Sequence, residues 1–139
     1  MRMFRSLCTL KEFKDLQIDV HQYFDISAGL SHNVITDFCL HQDTLYMVTP
    51  AGGFDRMVNK SLLDKEKNLL STTVFNSLFS HDNKLLYAAS PNSGIYEFSS
   101  TQNNYSKYNF EHLVYSIFSN QNQLWVTHDK GLDVLIDNN

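Results

Sequence analysis

The sequence is short of the residues that build covalent staples and metal sites. Its 139 residues include two cysteines, two prolines, five glycines and one tryptophan. Cys8 and Cys39 are too few for a disulfide framework and lack metal-site spacing. Both read as small hydrophobes, buried or half-buried; a Cys8–Cys39 bridge would require an oxidising compartment. Basic residues are outnumbered, eleven Lys and Arg against fifteen Asp and Glu, for a net charge of −4. That balance gives no electrostatic footprint for nucleic acid and no polybasic membrane patch. No run approaches the ~18 apolar residues of a membrane helix, so this segment is expected not to insert in a membrane. The opening "MRMFRSLCTLKEF" lacks the apolar core of a secretory signal. Either the protein is cytoplasmic as it stands, or the chain is a piece of something longer. A Gly-rich phosphate loop, a Gly-x-Ser-x-Gly elbow and a His-Glu-x-x-His motif are all missing.

What is present is a repeat. Hydrophobic residues are 42 % and charged residues 19 %, enough apolar content to form a core. Ten Phe and seven Tyr suit pleated, half-buried strands. Three stretches superimpose: "VITDFCLHQDTLYMVTPAGGFDRM" at 34–57, "VFNSLFSHDNKLLYAASPNSGIYEF" at 74–98 and "VYSIFSNQNQLWVTHDKGLDVL" at 114–135. Each gives a strand, a polar turn, a second strand, a Gly-containing turn and a third strand. The anchors are Leu45-Tyr46, Leu86-Tyr87 and Leu124-Trp125, spaced by 41 and 38 residues. A turn glycine follows each, at Gly52 (with Gly53), Gly94 and Gly131, where φ > 0 is tolerated. Pro50 and Pro91 fall at equivalent places.

Lead-in segments repeat as well, "GLSHNVITDF" matching "LLSTTVFNSL", with "NFEHLVYSI" as a looser third copy. Between copies, "NNYSKYNF" reads as a fourth strand. "LLDKEKNLL" reads as a Lys-protected edge strand or a short helix. Upstream, "LQIDVHQYFDI" reads as a strand. A period near 40 with three or four strands per unit predicts propeller blades, which must stack because one blade cannot bury both its faces. The fold expected is therefore all-β, a partial β-propeller of about three four-stranded antiparallel blades. Residues 1–16 form an N-terminal extension and 17–139 the propeller. Its blades cover about 30–70, 71–110 and 111–139, and 17–28 form an outer strand of a preceding or shared blade. Phe38, Leu45, Leu78, Leu86, Ile117 and Leu124 are the expected inward apolar residues.

Sites are harder to find. His41 and His81 occupy equivalent turns and read as surface histidines rather than metal ligands. Asp43, Asp82 and Asp129 are in turns, where Asp is favoured for backbone reasons. Trp125 shares a slot with Tyr46 and Tyr87, so it is expected to pack between blades rather than stack on a sugar. No metal, cofactor or catalytic residue is assigned. Propellers bind ligands at the axial mouth or on loops of one face, which makes His32, Asn33, Thr72, Thr73 and His112 the candidates for a ligand-facing ring.

"GLSHNVITDF…TLYMVTPAGGF" and "VYSIFSNQNQLWVTHDKGL" resemble the two-component regulator propeller repeat, Gly-Leu-Ser-x-Asn, a strand, then Leu-Trp-Ile-Gly-Thr-x-x-Gly-Leu. Gly29, Leu30, Ser31, Asn33, Thr49 and Gly52 match in the first copy, and Leu124, Trp125, Gly131 and Leu132 in the third. The pattern departs where its strand glycine is Val48, Ala89 or Thr127, and where Tyr46 and Tyr87 replace Trp. The resemblance spans about residues 17–136. It implies a non-enzymatic, ligand-sensing segment of a hybrid two-component histidine kinase, periplasmic, with a glycan-derived or other small-molecule signal. The partners expected are an oligosaccharide or small molecule, and either a second copy or further blades. Two alternatives remain from the sequence: a protein-interaction propeller, or a fragment of a propeller lyase or glycosidase. The latter needs a carboxylate pair facing the axis, and no such pair is evident.

Overall fold

The computed structural model describes residues 23–59, 61–62, 70–82, 84–99, 105–120 and 122–136. Eleven strands fall in three antiparallel sheets, each a simple meander. The first comprises β1 (Asp37–His41), β2 (Thr44–Val48), β3 (Phe54–Val58) and β4 (Ser61–Leu62). The second comprises β5 (Ser77–His81), β6 (Leu85–Ser90), β7 (Gly94–Ser99) and β8 (Tyr105–Tyr108). The third comprises β9 (Val114–Asn120), β10 (Gln123–His128) and β11 (Gly131–Ile136), three strands among the described residues. These are the expected blades of an all-β partial propeller. β8 lies where "NNYSKYNF" predicted it. Most of "LLDKEKNLL", and residues 1–22 with the expected extension, fall outside the described residues. At the end of the expected 17–28 strand, Ile26–Ala28 instead form a 3-10 turn capped by Asp25. The Asp25 side chain holds the turn by accepting from the Ser27 and Ala28 amides.

Alternation along the strands explains the repeated Leu-aromatic pair. In blade two, Leu86 pairs across from Phe98 while Tyr87 pairs with Glu97, so the two anchors point to opposite faces. Leu78, Leu86, Ala88 and Tyr96 pack on Cys39, Val48, Tyr46 and Phe54 of the first sheet. On the other face Phe79, Tyr87, Ala89 and Ile95 pack on Ile117, Leu124 and Val126 of the third. The blade-two dipeptide thus gives its Leu to the junction behind and its aromatic to the junction ahead; Tyr46 serves the first junction and Leu124 the second. The lead-ins add a wedge to each junction: Leu70 and Phe75 to the first, Phe110 and Val114 to the second. Phe54 stacks on Phe75 at 4.9 Å, and Phe98 meets Phe54 edge-on at 5.3 Å.

One expected inward residue is not inward. Phe38 is 56 % exposed, although its equivalents Leu78 and Ile117 are buried. It stands on the first sheet's back face, and no other described sheet covers that face. Leu45 is half-buried there for the same reason.

β1, β5 and β9 are the inner strands, and side chains stitch them together. Asp37 Oδ2 accepts the Leu78 amide at 2.8 Å, and Ser77 Oγ accepts the Ile117 amide at 3.3 Å, one blade further on. His41 Nδ1 bonds Ser80 Oγ at 2.8 Å, and His81 Nδ1 bonds Ser119 Oγ at 2.9 Å. Asn76 Nδ2 donates to the carbonyls of Val114 and Tyr115 at 2.8 and 3.1 Å. The reading of His41 and His81 as surface histidines is therefore corrected. His41 is buried and His81 half-buried, because the residue that opens each polar first turn faces a serine of the next blade. Cys39 is free and buried between blades; burial, with the charge of Asp37, pushes its thiol up to about 12.

Two glycines record how closely the chain passes from blade to blade. Gly52 and Gly94 have φ of +87° and +93°, and a Cβ there would meet Ser71 O at 2.6 Å and, closer still, Tyr108 O. Gly131, with φ of +139°, has nothing within 4 Å of that position. Gly94→Ala is expected to destabilise by more than the about 1–3 kcal/mol of backbone strain alone, since the clash is with backbone. Gly131→Ala should lower the thermal midpoint less; equal losses would show that the close approach is not what the glycine serves.

Burial also holds the His41 pKa below its ordinary value. As pH falls through about 6.5, the unfolded chain takes up a proton that folded His41 refuses, so stability falls with pH in that window. The expected result is a larger drop in thermal midpoint between about pH 7.5 and 5.5 for the wild type than for His41→Gln.

Candidate functional site

The lead-ins and the Gly-containing turns lie together at one end of the blades. Gly53 N donates to Thr73 O at 2.9 Å, and Asp129 N to Leu113 O at 3.2 Å. The five sequence candidates all fall at this end. Three of them are engaged locally. His32 Nδ1 accepts the Val34 amide at 2.9 Å, and Asn33 Oδ1 accepts the Ile26 amide at 3.0 Å. Thr73 is tied through its backbone, its amide donating to Leu70 O at 2.9 Å. Thr72 is exposed in the turn. Beside these residues, Val34, Val74 and Leu113 expose an apolar side chain at the same place before each inner strand. The candidates therefore share a rim that is polar at the turns and apolar toward the inner strands.

His112 alone belongs to a side-chain cluster. Its ring stacks on that of His128 at 4.8 Å and 10°, with Phe110 edge-on to both at 6.4 and 5.7 Å. Asp129 Oδ1 accepts the Leu113 amide at 3.1 Å and lies 3.7 Å from His112 Nδ1. His128 is buried; its Nδ1 accepts the Lys130 amide at 3.2 Å. Its Nε2 has no hydrogen-bond partner and lies 3.5 Å from Asp133 Oδ2.

His112, His128 and Asp129 can bring one ligand atom each within 4.8 Å of the others. The tautomer weighs against a metal. Because Nδ1 of neutral His128 accepts a backbone N–H, Nε2 carries the proton and is a donor, not a lone pair for a cation. What the cluster offers is a stacked imidazole pair with a carboxylate, able to donate to and accept from a polar ligand.

Sequence reasoning singled out His112 but missed its company. The signal was positional. Thr49, Ser90 and His128 occupy one slot at the end of the second strand, and Asp55 and Asp133 occupy another in the third. In blade one the same slots hold a buried network: Ser31 N and Oγ both donate to Asp55 Oδ2, at 2.8 and 2.7 Å, and Ser31 Oγ lies 2.9 Å from Thr49 Oγ1. The cluster in blade three is thus the histidine version of a pocket that blade one fills for stability. Trp125 is half-buried on the third sheet's forward face, opposite Leu124.

No family model matches the chain, and no curated protein matches it. Among solved structures, it is similar to the extracellular domain of what is described as a hybrid two component system from B. thetaiotaomicron. The TM-score is 0.63 and identity 19 %, covering 81 % of this chain and 16 % of that one. The chain thus spans about one-sixth of that domain's length. It is also similar to the computationally designed protein Ika4, with TM-score 0.54 and identity 7 %, covering 71 % of this chain and 63 % of that one. These likenesses establish the fold, three blades of propeller type. Among the described residues no helix is long and apolar enough to cross a membrane.

Asp55→Ala is expected to destabilise by about 1.5–3 kcal/mol, since it removes a charged acceptor from two donors of Ser31. Asp133→Ala, whose carboxylate is half-exposed at 3.5 Å from its partner, should cost less. Chemical denaturation of both variants makes the comparison.

Proposed function

We propose that the chain is a non-enzymatic sensing segment, part of a propeller that binds a glycan-derived signal outside the cytoplasmic membrane. The observation that carries this reading is the likeness of its fold, over 81 % of its length, to the extracellular domain of a hybrid two component system. The resemblance of its lead-in and anchor motifs to the two-component regulator propeller repeat supports the same assignment. The lead-in rim supplies the chemistry such a ligand requires. Exposed Val34, Val74 and Leu113 give apolar patches for sugar ring faces. His112 and Asp129, with one exposed edge each, give a donor and an acceptor for hydroxyls. Ligand binding would bias how this propeller packs against its neighbours, and that change of packing would be the signal.

Thermal unfolding with a panel of plant and host oligosaccharides tests the reading. A ligand at 100 times its Kd stabilises by about 2.7 kcal/mol, a readily measured rise in midpoint. At least one oligosaccharide should raise the midpoint, and His112→Ala should reduce that rise, measured from the variant's own unliganded midpoint. No stabilisation by any oligosaccharide would contradict glycan sensing. Turnover of a chromogenic glycoside would replace the reading with the enzyme class.

A further inference from the structure

The first and third sheets each leave one face uncovered by any other described sheet, and the two faces are the missing halves of one interface. The chain shows this interface twice. Its forward half is Cys39, Tyr46, Val48 and Phe54 at the first junction, and Phe79, Tyr87, Ala89 and Ile95 at the second. The third sheet repeats that half with Phe118, Trp125, Thr127 and Leu132 at the equivalent positions. Phe118 and Leu132 are 52 % and 54 % exposed. The backward half is Leu78, Leu86 and Ala88, then Ile117, Leu124 and Val126. The first sheet repeats it with Phe38, Leu45 and Met47; Phe38 is exposed, Leu45 half-buried and Met47 buried.

Hydrogen bonding points the same way. Leu78 N and Ile117 N are each held by a side chain of the blade before, Asp37 and Ser77. Phe38 N is the equivalent donor in the first blade, and it rests on its own Asp37 Oδ1 at 2.9 Å. Ser116 is the equivalent acceptor position in the third blade. The lead-in wedge completes the match. Phe75 and Val114 are fully buried at the two junctions, while their equivalent Ile35 is exposed beside the first sheet.

We propose that a second copy of this chain covers these faces, the third sheet of one copy docking head-to-tail on the first sheet of the other. The occupant is a second copy because each open face presents half of an interface the chain already makes with itself. Two copies bring six described blades together, within the ~4–8 of closed propellers, and a heterologous contact that closes on itself stops at a ring. The proposal is independent of the sensing assignment.

Light scattering coupled to size exclusion tests it on the full chain. The expected mass is twice the 16.1 kDa of one chain. Phe38→Glu and Trp125→Glu alter one open face each, and both substituted side chains lie away from the two formed junctions, so circular dichroism should stay native. Each variant alone is expected to run as a monomer. Mixed in equal amounts they should recover a dimer, since one supplies a sound third sheet and the other a sound first sheet. Trp125 is the single tryptophan, so Phe38→Glu should also shift its emission to the red by uncovering it. A wild-type chain that is monomeric up to its solubility limit overturns the proposal. So does a dimer that survives either substitution, or folded variants whose mixture stays monomeric.

Discussion

Each blade has an inner edge strand, and that edge is the problem the rest of the structure answers. An edge strand leaves alternate N–H and C=O groups unpaired, and here two such edges are packed beside a neighbouring blade where water is scarce. The chain meets this with short polar side chains at fixed places in the repeat. Asp37 and Ser77 take the amides of Leu78 and Ile117; Thr36 and Asn76 reach the carbonyls that begin the next inner strand. Apolar packing brings the blades together, but it is non-directional. The stitches fix the register of one blade on the next, and with it the spacing of the lead-ins that form the rim.

Much of this was legible. The Leu-aromatic dipeptide, spaced by about forty residues, located the second strand of every blade, because alternation demands one residue for each of two buried faces. The glycines after it were legible too, though their reason was only partly so. A tight turn explains φ > 0, but the close passage of Ser71 O past Gly52, and of Tyr108 O on the adjacent strand past Gly94, depends on segments beyond the turn and has no local signature. His41 and His81 were misread for the same reason. Placed beside a polar turn, each resembles a surface histidine, and only the neighbouring blade reveals the serine thirty-nine or thirty-eight positions on. Phe38 differs in the opposite direction: its pattern is that of a core residue, but no other described sheet covers the face on which it stands.

The candidate site was half legible. His112 followed from its position in the lead-in. His128, Asp129 and Asp133 sit in three different parts of the third blade, and each has an ordinary turn or strand reading by itself. What joins His128 and Asp133 is slot equivalence with Thr49 and Asp55, which in blade one are locked to Ser31. A scaffold that hydrogen-bonds these slots internally in one blade, and in another places there a histidine stacked on a lead-in histidine, can hold its shape while presenting different chemistry at the rim.

Side chains of one blade satisfy the inner-edge backbone of the next. Amide hydrogen exchange at single residues tests this most directly, comparing the wild type with Asp37→Ala. The Leu78 amide should be protected in the wild type and lose that protection in the variant, while the Ile117 amide, held by Ser77, keeps it. Unchanged protection of Leu78 in Asp37→Ala, or equal loss at Leu78 and Ile117, would contradict it.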